Sequence, residues 1–171
     1  MLAVCSFSTS AYSVTVQVLS TQIVPFRLYG KNKLTFADIS VELVFHPAVG
    51  SWSFSTGPVR YVLLDWNLVA NYFEKHTLQL LSQGEVNSAP HGLALLQGSF
   101  IAQAKEGYVL APNESGGTQG VFHLEFMINV GELNPQEHPS YLGGTSSIST
   151  DEALRFVRQL RSIIGDIDES E

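Results

Sequence analysis

Charge, cysteine and long apolar runs are all scarce in this sequence. Charged residues make up 15% of the chain, against about 25% in an average soluble domain. The single cysteine, Cys5, cannot form an internal disulfide or supply a thiolate pair to a metal, which favours a reducing compartment. No stretch reaches the ~18 consecutive apolar residues of a membrane span, and the first ten residues lack the Lys or Arg of a secretory signal. We therefore expect a cytoplasmic protein that does not bind a membrane.

Apolar residues are abundant instead, at 44% of 171 residues. A chain of about 150 residues buries roughly 68–70% of its unfolded surface, so this length suits a single globular domain, residues 1–171. The formal net charge is −7. Because non-specific nucleic-acid binding needs a basic face, we expect no nucleic-acid partner. An acidic chain suits a basic protein partner better.

The longest helical pattern follows the breaker Gly57-Pro58. Apolar residues recur with helical spacing from Trp66 onward, which predicts a helix over Asp65–Leu81 with one buried stripe. Asp65 is expected to cap its N-terminus, because a carboxylate can accept the free N–H groups of the first turn. Gly84 is expected to end it.

Period-two patterns predict strands before this helix, at 12–18, 22–29 and Leu34–Phe45. A short strand with Trp52 and Phe54 on one face is expected before Gly57-Pro58, and a second apolar run follows at 59–64. Pro25 has no N–H to donate, so the second strand is expected at a sheet edge or with a bulge. In the third strand the apolar positions share one face, and the opposite face is polar. That polar face leaves side chains free to meet a partner. We therefore predict a protein-binding face formed by Asp38, Ser40 and Glu42.

After the helix, strands are predicted at 93–104, 108–111 and 121–130, with a long loop at 133–147. A second helix over Ser149–Ile164 begins with a capping box, in which Ser149 is the N-cap and Glu152 the third residue. Gly165 is expected to end this helix, and the acidic residues 166–171 are expected to be frayed. The order strands, helix, strands, helix predicts an α+β fold. Its antiparallel sheet would be meander-like or sandwich-like, with one central and one C-terminal helix packed on it.

No set of side chains typical of catalysis or of metal or cofactor binding is found. His123 and Glu125 lie two apart on one strand, as in deaminase zinc sites, but the required Pro-Cys-x-x-Cys is absent. A Gly-x-Ser-x-Gly elbow and a phosphate loop are also absent. No partner at metal-ligand spacing accompanies the other histidines, which are His46, His76, His91 and His138. We predict a non-enzymatic protein without cofactor or metal.

Three further features bear on partner binding or reactivity. Trp52 and Trp66 are both expected in the core, and an exposed tryptophan would mark an interface hot spot. Arginines recur every three residues on the last helix, at 155, 158 and 161. Nearby acidic residues are expected to neutralise them. Cys5 is expected to be inert at a flexible N-terminus.

Two stretches resemble the WapI-type immunity proteins of bacterial polymorphic toxin systems. The first is Gly50-Ser51-Trp52-Ser53 followed by Leu63-Leu64-Asp65-Trp66-Asn67-Leu68, which opens the first helix. The second is Phe122-His123-Leu124-Glu125-Phe126, followed by a loop and the closing helix. The resemblance implies a cytoplasmic, non-catalytic protein that binds and blocks a cognate toxin, and the acidic balance would suit a basic toxin surface.

Two other classes of function stay open. Low charge also fits a structural or assembly subunit of a larger complex. A β-rich domain can instead bind a small molecule, and a visible apolar cavity would favour that class. The sequence leaves the oligomeric state open.

Overall fold

Alternating apolar and polar residues build two antiparallel sheets in the computed structural model, which describes residues 2–28, 31–46, 50–87, 93–95, 100–110, 118–130 and 140–169. The strands are β1 (Ala3–Ser8), β2 (Tyr12–Leu28), β3 (Lys31–Phe45), β4 (Trp52–Ser55), β5 (Val59–Val62), β6 (Glu85–Val86), β7 (Leu93–Leu95), β8 (Phe100–Val109), β9 (Gly120–Asn129) and β10 (Tyr141–Ser149). The helices are α1 (Trp66–Gln83) and α2 (Thr150–Glu169).

The strands form one sheet before α1 and a second sheet after it. The first has the order β1-β2-β3-β4, with β5 also paired to β3. The second has the order β10-β9-β8-β6, with β7 also paired to β8. All of these pairs are antiparallel. The predicted α+β class with an antiparallel sheet and two helices is confirmed.

Helix α1 ends as predicted but begins differently. Gly84 adopts φ +83° and donates its N–H to Leu80 O at 2.9 Å, which is a left-handed C-terminal cap. The predicted Asp65 cap is wrong. A 3₁₀ turn, Leu63–Asp65, precedes the helix, so Asp65 already has the helical angles φ −66° and ψ −20° and makes no capping hydrogen bond. An N-cap side chain needs a non-helical backbone to reach back to the first turn.

Several predicted strand boundaries are wrong because bulges keep strands continuous. The two strands predicted at 12–18 and 22–29 are the single strand β2, with register shifts at Val18/Ser20 and at Pro25/Leu28. The second shift confirms the bulge predicted at Pro25. The strand predicted at 93–104 corresponds to β7 and the first part of β8, and the strand predicted at 108–111 corresponds to the end of β8. The register of β8 shifts between Ala104 and Gly107. Each bulge accommodates extra residues without ending the strand.

Three strands, β1, β6 and β10, lie wholly or mostly in segments for which no strand was predicted. Strand β1 pairs along its whole length with β2, so the N-terminal segment is not flexible and Cys5 is buried. Strand β10 occupies 141–149, of which 141–147 was predicted as loop. Residues 31–33 of the turn predicted at 30–33 belong to β3, and Gly120 at the end of the loop predicted at 112–120 begins β9. Gly30, residues 112–117 and residues 131–139 lie outside the described residues.

Helix α2 is longer than predicted. Ser149 does cap it, since Ser149 Oγ accepts the N–H of Glu152 at 3.2 Å. The Glu152 carboxylate, however, accepts the N–H of Ser8 at 2.7 Å instead of completing the box. Gly165 lies inside the helix, which continues to Glu169. The predicted end at Gly165 is therefore wrong, and most of the acidic segment expected to fray is helical.

The core lies between the two sheets and the helices. Phe7 of β1 stands at its centre, with ring centroids 5.5 Å from Phe73, 5.8 Å from Phe126 and 5.0 Å from Phe156. One strand of each sheet and both helices therefore meet at a single ring. Tyr12, fully buried, donates its hydroxyl to Leu124 O at 2.6 Å and joins the two sheets. Neither described helix is both long and apolar enough to cross a membrane.

Candidate protein-binding surface

Trp52 is the more exposed of the two tryptophans. It is 64% exposed, whereas Trp66 is 1% exposed. The expected core position is confirmed for Trp66 and wrong for Trp52. Trp52 pairs with Phe45, and the next inward pair on the same sheet face is Phe54 with the buried Leu43. Trp52 thus points to the core side of the first sheet, but at the sheet's end, where little covers it.

An apolar pocket of about 420 Å³ opens beside Trp52. The first sheet contributes its aromatic wall and β10 of the second sheet contributes the opposite wall. Its lining residues are Ala11, Phe45, His46, Trp52, Phe54, Leu142 and Gly143. We call this group the Trp52 pocket. Its volume lies within the range of roughly 300–1,000 Å³ that is typical of binding sites.

Gly143 explains why β10 can form one wall of the pocket. A Cβ added there would collide with Phe126 O and lie 2.5 Å from Met127 Cα, both backbone atoms of β9. At the neighbouring Gly144 an added Cβ would meet only the Phe45 ring, at 3.5 Å. From the sequence, Gly143 and Gly144 were expected in the long loop at 133–147. Gly143 is required by close approach within a sheet, which periodicity does not reveal.

The segment of the pocket that carries Trp52 and Phe54 is uncharged. Residues 50–59, which include all of β4, contain no Asp, Glu, Lys or Arg. The polar group of the lining is the His46 ring, whose Nε2 lies 3.0 Å from Ser13 Oγ. An apolar floor with an exposed indole and a small polar rim matches the anatomy of a protein-binding hot spot.

The predicted polar face lies on β3, with Asp38, Ser40 and Glu42 all half-buried. Arg60 Nε donates to Asp38 Oδ1 at 2.9 Å, and Ser20 Oγ donates to Asp38 Oδ2 at 2.6 Å. The hydrogen bonds from Arg60, and then that from Ser20, lower the pKa of Asp38 to about 2. Asp38 is therefore ionised, but the guanidinium of Arg60 compensates its charge.

The other two members of the face differ from Asp38. Ser40 Oγ lies 2.9 Å from Ser55 Oγ, so this hydroxyl is held by the neighbouring strand. Glu42 pairs in register with Thr15 on one side and Ser55 on the other, neither of which is charged. Of the predicted site, Glu42 is the carboxylate better placed to attract a basic partner.

His123 and Glu125 share a face of β9 but have separate partners. His123 Nδ1 lies 3.2 Å from Ser147 Oγ of β10. Glu125 Oε2 lies 2.5 Å from Lys105 Nζ of β8. The two side chains therefore bond away from each other, toward opposite neighbouring strands.

Two other side chains with reactive groups, His76 and Cys5, are buried. His76 is buried against Phe122, with ring centroids 4.8 Å apart, and desolvation lowers its pKa. Burial raises the pKa of the Cys5 thiol to about 12, so its thiolate form is suppressed. Within the described ranges no three metal-ligating side chains cluster. His91 and His138 lie outside those ranges.

Two arginines of α2 bind acidic partners, one of them as expected from the sequence. Arg155 Nε donates to Glu152 Oε2 at 2.8 Å, and its Nη2 donates to Ser6 O at 3.3 Å. Arg161 Nη2 donates to Glu74 Oε2 of α1 at 2.7 Å. Expected neutralisation by Glu152 is confirmed for Arg155, whereas Arg161 bonds to α1 and not to the C-terminal acidic residues.

Comparison with known proteins gives little guidance. No protein-family model matches the chain, and no curated protein matches it. Among solved structures the chain is similar to that titled "Structure of the plant transcriptional regulator PBF-2", at 14% sequence identity and a TM-score of 0.34. The match covers 96% of this chain and 81% of that one. A likeness of this degree supports no statement about function.

Proposed function

We propose that this protein is a non-catalytic protein-binding domain that docks its partner at the Trp52 pocket. The observation that carries the proposal is the exposed indole of Trp52 beside an apolar pocket. Burial of a large aromatic side chain contributes favourable free energy, which an exposed side chain does not supply to folding. Such a side chain next to a concave apolar surface is typical of an interface anchor.

The contribution expected of Trp52 follows from its exposure. Truncating a hot-spot side chain costs about 2 kcal/mol or more of binding free energy, or roughly thirtyfold in Kd. The same truncation should hardly change folding stability, because substitutions of exposed side chains are usually within about 0.5 kcal/mol of neutral. Trp52→Ala is thus a variant that separates binding from folding.

The resemblance to immunity proteins names one possible partner, a basic toxin domain. The net charge of −7 supports such a partner through long-range steering. Glu42 on the polar face is the carboxylate we expect to take part. Asp38 is already paired with Arg60, so reversing its charge would also place two cations together. We therefore propose Glu42→Lys as the variant that tests steering.

The proposal is tested by comparative capture. Wild type, Trp52→Ala, Glu42→Lys and Leu78→Ala are immobilised and exposed to extract of the source cells, and retained proteins are then titrated in purified form. Leu78 is a matched control, because it is 52% exposed and lies on α1 outside the pocket lining. We expect Trp52→Ala to weaken binding of the retained partner by roughly thirtyfold and Leu78→Ala to leave it unchanged. Equal binding by wild type and Trp52→Ala would refute the proposal.

A second candidate function is favoured by the pocket itself. Its volume of about 420 Å³ can hold a small apolar molecule. Mass spectrometry of the solvent extract of purified protein tests this candidate. A small molecule that accompanies wild type but not Trp52→Ala would support it, and an extract without one at stoichiometric amounts would argue against it.

A further inference from the structure

We infer that the partner at the Trp52 pocket is a second copy of this chain, which adds to the first sheet along strand β4. The inference rests on the proposed function, since it names the protein that docks there. It is carried by three observations: the direction of the β4 backbone, the contacts and irregularities at the edges of β1, β10 and β2, and the absence of charged residues in 50–59.

Strand β4 presents hydrogen-bonding groups away from its own sheet. It is the last strand in the order β1-β2-β3-β4. Thr56 donates its N–H to Val41 O of β3 at 3.0 Å. Because backbone groups alternate between the two sides of a strand, Trp52 and Phe54 direct theirs to β3 as well. Ser53 and Ser55 therefore direct their N–H and C=O groups outward, where an added strand can bond to them.

Within the described residues, the edges of β1, β10 and β2 are each covered or interrupted over part of their length. At β1, side chains of α2 bind the outer backbone groups: Glu152 accepts the N–H of Ser8 at 2.7 Å, and Arg155 donates to Ser6 O at 3.3 Å. At β10, the N–H of Ser10 binds Ser147 O at 3.1 Å. The part of β2 beyond β1 contains Pro25 and two register shifts. Covering side chains, proline and register shifts are devices by which proteins prevent edge pairing, and none of the three is found in β4. Its length of four residues is the one such limit that it has, which agrees with a weak contact.

Charge selects a second copy over a strongly charged partner. Two chains of net charge −7 repel each other wherever acidic surfaces meet. The absence of charged residues in 50–59 lets two copies approach here without like charges in contact. Strand β4 itself offers no charge to a strongly basic or acidic partner, because Glu42, the carboxylate that could attract a basic one, lies one strand further in, on β3 in register with Ser55.

The sequence of β4 is also complementary to itself. It reads Trp-Ser-Phe-Ser, so aromatic side chains occupy the pocket side and serines the other side. Antiparallel pairing about a two-fold axis at Phe54 places this ring opposite the same ring of the second copy. The second copy's Trp52 then lies diagonally adjacent, a spacing of about 7–8 Å that aromatic side chains bridge. Ser53 and Ser55 pair with the second copy's Ser55 and Ser53.

The area involved predicts a weak dimer. Each aromatic side chain can bury about 150–250 Å². Trp52 and the partly covered Phe54 therefore contribute a few hundred Å² per copy, which is below the ~800 Å² per partner of a standard stable interface. We expect monomer at about 10 μM and a substantial dimer fraction near 1 mM, as for weak, transient contacts.

Sedimentation equilibrium over this concentration range tests the inference. Wild type should rise from a mass of 18.7 kDa toward twice that value. Trp52→Ala should remain monomeric. Ser53→Lys should also do so, because it places two cations close together across the axis, and about 1 M salt should restore its dimer by screening. Ser82→Lys, which adds the same charge at an exposed position on α1, should behave as wild type. Thermal unfolding verifies that each variant is folded.

The possible outcomes separate this inference from the proposed function. If the protein is monomeric near 1 mM, the inference that a second copy docks at the Trp52 pocket is wrong. The capture experiment then decides whether another protein occupies the surface. A dimer that survives both Trp52→Ala and Ser53→Lys uses another surface and also overturns the inference. A dimer lost in both variants, with salt restoring the lysine variant, supports it.

Discussion

Substitutions of Gly143 and Gly144 test how closely β10, which forms one wall of the Trp52 pocket, approaches β9. Although the two residues are neighbours, an alanine Cβ at Gly143 would meet backbone atoms of β9, with Met127 Cα at 2.5 Å, while one at Gly144 would meet the Phe45 ring at 3.5 Å. Backbone atoms in a paired strand cannot move without breaking the register. Gly143→Ala should therefore force β10 away from β9, whereas Gly144→Ala makes an ordinary contact.

The two variants should have different effects on the free energy of unfolding. Overpacking typically destabilises by about 1–3 kcal/mol, and contact with backbone places Gly143→Ala near the upper end. With about 2–4 °C per kcal/mol for a domain of this size, its melting temperature should fall by about 4–12 °C. Gly144→Ala should be neutral or stabilising by up to about 1 kcal/mol, because alanine reduces the entropy of the unfolded chain. Calorimetric melting of both variants checks this. Equal melting temperatures would show that β10 does not approach β9 as described.

Three further expectations concern stability and reactivity. Ser149→Ala should cost about 0.5–2 kcal/mol in denaturant unfolding because Ser149 caps α2, and Asp65→Ala should cost little because Asp65 makes no capping bond; the reverse order would contradict the assigned helix starts. Hydrogen bonds, chiefly from Arg155, lower the pKa of Glu152 from 4.5, so its stabilisation is present above that value and lost as pH falls through the folded pKa; the stability gap between wild type and Glu152→Gln should shrink below about pH 4.5, and a gap independent of pH would refute this. Cys5, whose pKa burial raises to about 12, should react with iodoacetamide at pH 8 only after unfolding, and rapid labelling of folded protein would show that β1 is detached.

The sequence was most informative where periodicity and burial agree. The period-two runs predicted most of β2 and β3 in the first sheet, and the helical stripe from Trp66 predicted α1 with its end at Gly84. These signals are local, since one apolar face is enough to set the pattern. Bulges were less predictable, because Leu19 and Lys105-Glu106 interrupt the register of β2 and β8 without ending either strand.

The candidate surface depended on information that is not local. Exposure of Trp52 is set by how far the second sheet extends over the first, which no single strand encodes. Leu142 and Gly143 were assigned to a loop, because the sequence alone does not distinguish a glycine required by close packing from a glycine required by a turn. Similarly, Glu152 completes a capping-box pattern, yet its carboxylate binds β1, a strand that is 144 residues away in sequence.

The claim that another protein docks at the Trp52 pocket is tested most directly by the indole N–H resonances of the two tryptophans. In ¹⁵N-labelled protein, titrated with the retained partner or with unlabelled chain, we predict that the Trp52 resonance shifts or broadens as complex forms. The Trp66 resonance, buried in the core, should stay in place. A complex that forms while the Trp52 resonance does not move would contradict the claim.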